Sequence, residues 1–135
     1  MILFINTSQA DLIDLKLIKR RKVVKELVSH ESYKHAELLL TMINELVGDV
    51  KKIKALVVVS GPGAFSALRL GLATANTLAW SLKLPIIEVS VKEAEENLIE
   101  VLDKKLYNKV KGKFIPVTPN YGKEANITKP KKVKK

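Results

Sequence analysis

Apolar and polar positions along the chain change period several times, and each change marks an element. Residues 2–5 form an unbroken apolar run, which predicts a strand covered on both faces. In 12–18, Ile13, Leu15 and Leu17 alternate with Asp14 and Lys16, the period-two signature of a half-exposed strand. Lys19, Arg20, Arg21 and Lys22 then read as a charged turn, without the Asn-Gly signal of a tight hairpin. Residues 22–28 predict a third strand, although Val23, Val24, Leu27 and Val28 do not alternate cleanly. Leu38, Leu39, Met42, Ile43 and Leu46 fall at helical spacing, so a helix is expected over 32–47 with Gly48 at its end. A β-branched run over 54–60 predicts a buried central strand that ends in Gly-Pro-Gly. A long apolar helix, Phe65–Leu82, follows and is stopped by Lys83-Leu84-Pro85. Residues 85–89 predict another strand, and Val91, Ala94, Leu98, Leu102 and Leu106 an amphipathic helix of about four turns.

After Lys109 the pattern stops. Pro116, Pro119 and Pro130, two glycines and many lysines predict an extended basic tail. The expected organisation is a lobe over 1–108 and a tail over 109–135. The order βββαβαβ plus a C-terminal helix predicts an α/β fold with a mixed five-stranded sheet.

Composition narrows the chemistry. Without cysteine there is no disulfide framework or thiolate metal site, and with His30 and His35 as the only histidines no structural zinc site is expected. No apolar run is long enough to span a bilayer, and the first residues lack a signal-peptide pattern, so a cytoplasmic protein without a membrane partner is expected. The formal charge is +10, of which residues 91–135 carry +6. A basic tail suits an anionic partner such as RNA or an acidic protein face, and equally serves as a solubilising end.

The candidate chemistry centres on 60–71. Gly61 and Gly63 permit positive φ and close backbone approach, and the helix that starts at once offers free N–H groups and a partial positive charge. Gly61, Pro62, Gly63, Ala64, Phe65 and Ser66 could therefore hold a phosphate or carboxylate, and Arg69 could lie near the exposed side of the same helix. Equally, such a turn can be a tight strand-to-helix connection with no ligand. It is not a Walker A loop, since Ala67 stands where Lys is needed, nor a dinucleotide fingerprint, since Ser66 takes the third glycine position. The helix beyond it is apolar on more than one face, and Ala67, Gly71, Ala73, Ala75 and Ala79 keep it narrow. Such a helix needs cover from a second helix or a second protein.

Together Ser60-Gly-Pro-Gly-Ala-Phe-Ser-Ala-Leu-Arg-Leu-Gly-Leu-Ala-Thr-Ala75 resembles the TsaB pattern GPGSFTGLRIGLATAKGLA. Lys83 to Ser90, Asn6-Thr7-Ser8, His35-Ala36-Glu37-Leu38 and the segments at 119–122 and 127–132 are similar to other stretches of that family. The resemblance implies an actin-like, ribonuclease H-like lobe. It implies a non-catalytic scaffold that activates a TsaD-like subunit beside a TsaE-like ATPase in tRNA threonylcarbamoyladenosine biosynthesis. By the same resemblance the partner interface would include His35, Leu38, Leu39, Met42, Leu68, Arg69, Leu72, Ala73, Ala75 and Asn76. Thr7 and Ser8 would lie beside the anion contact at the turn. No cofactor is required, and ATP or ADP is expected only in a shared complex. A homodimer is expected where the TsaD-like subunit is absent, and tRNA is expected to be met indirectly or through the tail.

Three departures bear on this. Asn6 stands where the family often has Asp, which disfavours independent nucleotide hydrolysis. Ala64, Ser66 and Ala67 replace Ser, Thr and Gly of the commonest motif. The second lobe of about a hundred residues that relatives carry is missing between Val89 and Pro119, as expected of an internal deletion. Two other readings remain. One is a basic RNA-binding module using 19–22 and the tail. The other is a peptidase built from Ser8, Ser60, Ser66, His30 and His35, for which there is no GxSxG elbow. The Glu93, Glu95, Glu96 and Glu100 group reads as a solvated helix face.

Overall fold

Five strands align into one sheet because their apolar positions demand cover on two faces. The computed structural model describes residues 1–32, 34–109 and 117–119. Most of the expected tail therefore lies outside the described residues. The strands are β1 (Ile2–Asn6), β2 (Ile13–Lys19), β3 (Lys22–Ser29), β4 (Ala55–Gly61) and β5 (Ile86–Ser90), in the spatial order β3-β2-β1-β4-β5. β1 runs antiparallel to β2, with Ile2 opposite Ile18, and β2 antiparallel to β3. β1 and β4 are parallel, with Ile2 beside Ala55, and so are β4 and β5. The mixed sheet expected from three early strands and a later strand–helix–strand unit is thus observed.

Two helices cover one face and two the other. α1 (His35–Val47) and α2 (Phe65–Leu82) pack on Leu3, Ile5, Ile13, Leu15, Leu17, Leu56 and Val58. α3 (Val91–Glu96) and α4 (Leu98–Lys109) lie over Phe4, Ile18, Val57, Val59, Ile87 and Val89. Every residue of β4 is buried, as its β-branched run requires. Each fully buried Leu, Ile or Phe here contributes on the order of 1.5–3 kcal/mol relative to exposure.

Three local differences from the sequence reading have physical causes. The amphipathic stretch after β5 is two helices, not one, because Asn97 (φ −150°, ψ 46°) leaves the helical region between them. Asparagine competes for local backbone hydrogen bonds and so favours such breaks. The first of the two is fixed by a capping box in which Ser90 and Glu93 satisfy each other's backbone N–H. The irregular apolar pattern in β3 comes from a bulge. Leu17 faces Lys25 but Ile18 faces Val23, so one residue is skipped and the period breaks. Finally, Arg20 (φ 52°) and Arg21 (φ 66°) turn the β2–β3 hairpin with positive φ and no glycine or asparagine. An ion pair from Arg21 to Asp103 of α4 holds this turn against the helix layer.

Candidate functional site

The Gly-Pro-Gly turn is built around the end of β1. Asn6 Oδ1 accepts hydrogen bonds from the Ser8 backbone N–H (3.0 Å) and the Ser8 hydroxyl (2.7 Å). This local turn aims the Ser8 carbonyl across to the Ala64 N–H, which donates to it at 2.8 Å. Gly61 takes φ 128°, a conformation that suits glycine alone, and its bond to Pro62 is cis. A β-carbon at Gly63 would collide with the Ser8 backbone, and one at Gly71 with the Thr7 side chain. Glycine at these two positions is therefore required by close approach. The chain 6–8 acts as a wedge under the turn and under the first half of α2.

This packing decides where the expected anion contacts lie. Thr7 and Ser8 are buried, and the Ala64 amide is already bonded to Ser8. On this side the turn is closed by the chain itself, and these residues do not fit a nucleotide phosphate. Pro62, Phe65 and Ser66 face outward instead. Phe65 and Ser66 line a half-open hollow of about 400 Å³, where Ala10, His35 and Ala36 meet Ala64, Phe65 and Ser66. The Arg69 guanidinium lies over the Phe65 ring, 5.2 Å from its centroid, on the exposed face of the first turn of α2.

The expected interface residues differ widely in exposure. His35, Leu39, Met42, Leu68, Leu72 and Ala75 are buried within this chain, and help hold α1 and α2 on the sheet. The His35 Nε2–H donates to the Leu12 carbonyl at 2.8 Å, which assigns that nitrogen its proton and pins the start of α1 to the β1–β2 loop. Leu38 and Met42 border a groove between α1 and β3. Only Arg69 and Ala73 are openly exposed. They belong to a stripe down α2 that starts at Phe65 (56% exposed) and ends at Trp80 (68% exposed). Leu40 of α1 (62% exposed) is a further large apolar side chain left uncovered.

Asn76 has a role that the sequence does not signal. Its side chain clips the backbone of Val117, donating from Nδ2 to the Val117 carbonyl and accepting at Oδ1 from the Val117 N–H, both at 2.9 Å. The amide thus acts as a neighbouring strand would, and Val117 is buried in the core beside α2. Nothing in the spacing of the C-terminal residues singles out Val117.

Other candidate groups are engaged in structural contacts. The Ser60 hydroxyl donates to Glu88 at 3.0 Å, and among the described residues no serine hydroxyl is hydrogen-bonded to a histidine. Glu93 accepts from the Ser90 backbone, which holds its carboxyl below the ordinary range, with burial opposing and Lys105 adding to the effect. Among the described residues no three His, Asp or Glu side chains converge as a metal site would need.

Comparison with known proteins places this arrangement. A family model described as TsaD, tRNA N6-adenosine threonylcarbamoyltransferase, matches residues 23–99, more than half of the chain. Bacillus subtilis TsaB, the tRNA threonylcarbamoyladenosine biosynthesis protein, is 32% identical over 96 residues, 68% of this chain and 42% of that protein. The chain belongs to the TsaB–TsaD family, on the TsaB side. A second TsaB protein, from Buchnera aphidicola subsp. Acyrthosiphon pisum, is 35% identical over 62% of this chain and 37% of its own length. YeaZ from Pseudomonas aeruginosa superposes with a TM-score of 0.61 at 25% identity, covering 66% of this chain and 43% of that one. The TsaB-type lobe described above therefore spans less than half the length of these relatives. Its actin-like, ribonuclease H-like architecture is the one that the resemblance implies, and the mixed five-stranded sheet is the one that the element order predicts.

Proposed function

We propose that this chain is a non-catalytic, activating partner of a TsaD-like subunit in the biosynthesis of N6-threonylcarbamoyladenosine in tRNA. The observation that carries the reading is the solvent-exposed stripe of α2 that runs through Arg69 and Ala73 to Trp80, in a lobe of TsaB type. An exposed apolar helix face of this kind is a partner-binding feature. The Gly-Pro-Gly turn serves it by fixing the direction in which α2 leaves the sheet. The Ala64 amide bonded to Ser8 and the buried Thr7 support a scaffold role over a separate nucleotide site. Any ATP or ADP belongs to a complex shared with the TsaD-like subunit and a TsaE-like ATPase. Alone, the chain is expected to pair with a second copy through the same stripe.

The test is Ala73→Arg. Ala73 is exposed, so the substitution should change stability by no more than about 0.5 kcal/mol. Ala75 is fully buried, and the same change there would disrupt the core instead. Co-purification with a TsaD-like subunit should be lost in the Ala73 variant, and the wild-type chain should restore the modified adenosine in cells depleted of TsaB. Undiminished co-purification would remove α2 as the interface, and failure of the wild type to complement would remove the functional reading.

A further inference from the structure

The fold gathers basic side chains from three separate segments at one end of the sheet. This is the end where β1, β4 and β5 begin, opposite the Gly-Pro-Gly turn. Register places Ile2 beside both Ile18 and Ala55, and Leu56 beside Ile86, so the residues flanking these positions share that edge. Lys19, Arg20, Arg21 and Lys22 form the hairpin tip, and Lys51, Lys52 and Lys54 lead into β4. Lys83 stands between α2 and β5. All eight are exposed. The segments are tied together by backbone hydrogen bonds between Met1 and residues 52 and 54. Lys54 and Lys19 are close enough to the Met1 ammonium that, after burial, their fields lower its pKa.

Their charge is not neutralised locally. Among the described residues only Arg21 of the eight is in an ion pair, with Asp103. Asp49, the other adjoining carboxylate, accepts the Lys51 backbone N–H at 3.0 Å. The opposite end carries Asp11, Glu31, Glu95 and Glu96 together with Lys34 and Lys92, so the uncompensated positive charge lies at the hairpin end. Some of these lysines complement the C-terminal ends of α1 and α2, but the hairpin tip adjoins no helix C-terminus.

We propose that this basic edge binds the phosphate backbone of RNA. Four inter-strand spacings of about 4.8 Å make the edge about 19 Å wide, enough for several successive phosphates of one strand. Trp80, 68% exposed in the last turn of α2, stands one turn before Lys83 and offers a ring on which a base can stack beside the backbone contacts. The inference uses the preceding reading only to choose tRNA as the probe. It also separates the body of the chain from the basic tail as the source of affinity.

The experiment titrates unmodified tRNA with the full chain between about 50 and 200 mM salt. Four forms are compared: wild type, a Lys19→Gln/Lys51→Gln/Lys52→Gln/Lys54→Gln edge variant, its Lys51→Gln/Lys52→Gln subset, and a Lys131→Gln/Lys132→Gln/Lys134→Gln/Lys135→Gln tail variant. The edge variant should lose at least tenfold in affinity at the lower salt, and the magnitude of its log–log salt slope should fall by roughly 3. Circular dichroism checks folding, and the Lys51→Gln/Lys52→Gln pair should give about half the slope change. Absence of wild-type binding, or an edge variant with unchanged slope and affinity, overturns the proposal. So does binding to phosphatidylserine vesicles without binding to tRNA. Loss of co-purification with a TsaD-like subunit at unchanged tRNA affinity would assign the edge to a protein face and overturn it too. Retained co-purification with unchanged tRNA affinity sinks the RNA edge while leaving the partner role intact.

Discussion

At the scale of single residues, the contact between Thr7 and Gly71 sets how closely α2 can approach β1. A β-carbon at Gly71 would overlap the Thr7 side chain, whose hydroxyl is buried with no hydrogen-bond partner among the described residues. Gly71→Ala should therefore cost about 1–3 kcal/mol by overpacking, measured as a lower urea midpoint. Adding Thr7→Ala should recover most of that loss, and additive costs in the double variant would show that the two positions do not meet. Thr7→Val should be neutral or stabilising by about 1 kcal/mol, because an unsatisfied hydroxyl is replaced by a methyl group of similar shape. Glu93 gives a pH dependence. Its folded-state pKa is depressed, chiefly by the Ser90 backbone hydrogen bond. Its contribution is present above the unfolded carboxylate pKa and is lost as pH falls through the folded value. Glu93→Gln should therefore flatten the decline in stability between about pH 6 and pH 3, and an unchanged profile would remove this carboxylate from the acid response.

Elements add constraints that no single residue carries. The β2–β3 hairpin turns on two arginines with positive φ, a conformation that costs a residue with a β-carbon about 1–2 kcal/mol. Replacing Arg20 and Arg21 by Asn and Gly should raise stability by about 1 kcal/mol, since the exposed ion pair lost with Arg21 contributes little. A fall in the thermal midpoint would mean that the arginines hold the hairpin on α4 more firmly than this. The Asn76 clip is the second such constraint. Asn76→Ala removes both hydrogen bonds to Val117, at a cost of about 1–3 kcal/mol, and should abolish hydrogen-exchange protection at the Val117 amide. Retained protection there would show that Val117 is held by its apolar burial alone. The sequence reading could locate α2 to the residue, because its limits are set by local signals at Gly63 and Pro85. It could not find the clip, because residues 76 and 117 are far apart in the chain and an asparagine on a helix has many uses.

For the whole molecule, element type and order were legible in the hydrophobic period, since burial of one face or two imposes its own spacing. Strand order was legible in outline, because short connections make antiparallel neighbours and helical crossovers make parallel ones. The family motif at 60–75 was legible too, as a string of close-approach glycines and helix-facing apolar residues. What that motif touches was not. Thr7 and Ser8 read as ligand contacts in one dimension, and in three they are the wedge that supports the turn. Buried Ala75 and exposed Ala73 are two residues apart and chemically identical, and only the position of the sheet distinguishes them. The basic edge is likewise invisible as a run, because its lysines and arginines come from segments at 19–22, 51–54 and 83. The sequence by itself thus determined the elements, the family and the absence of thiol chemistry, all of which depend on local pattern or composition. Which side of each helix is left for a partner, which polar groups are already bonded within the chain, and where positive charge accumulates were decided by tertiary structure, because each depends on residues that only folding brings together.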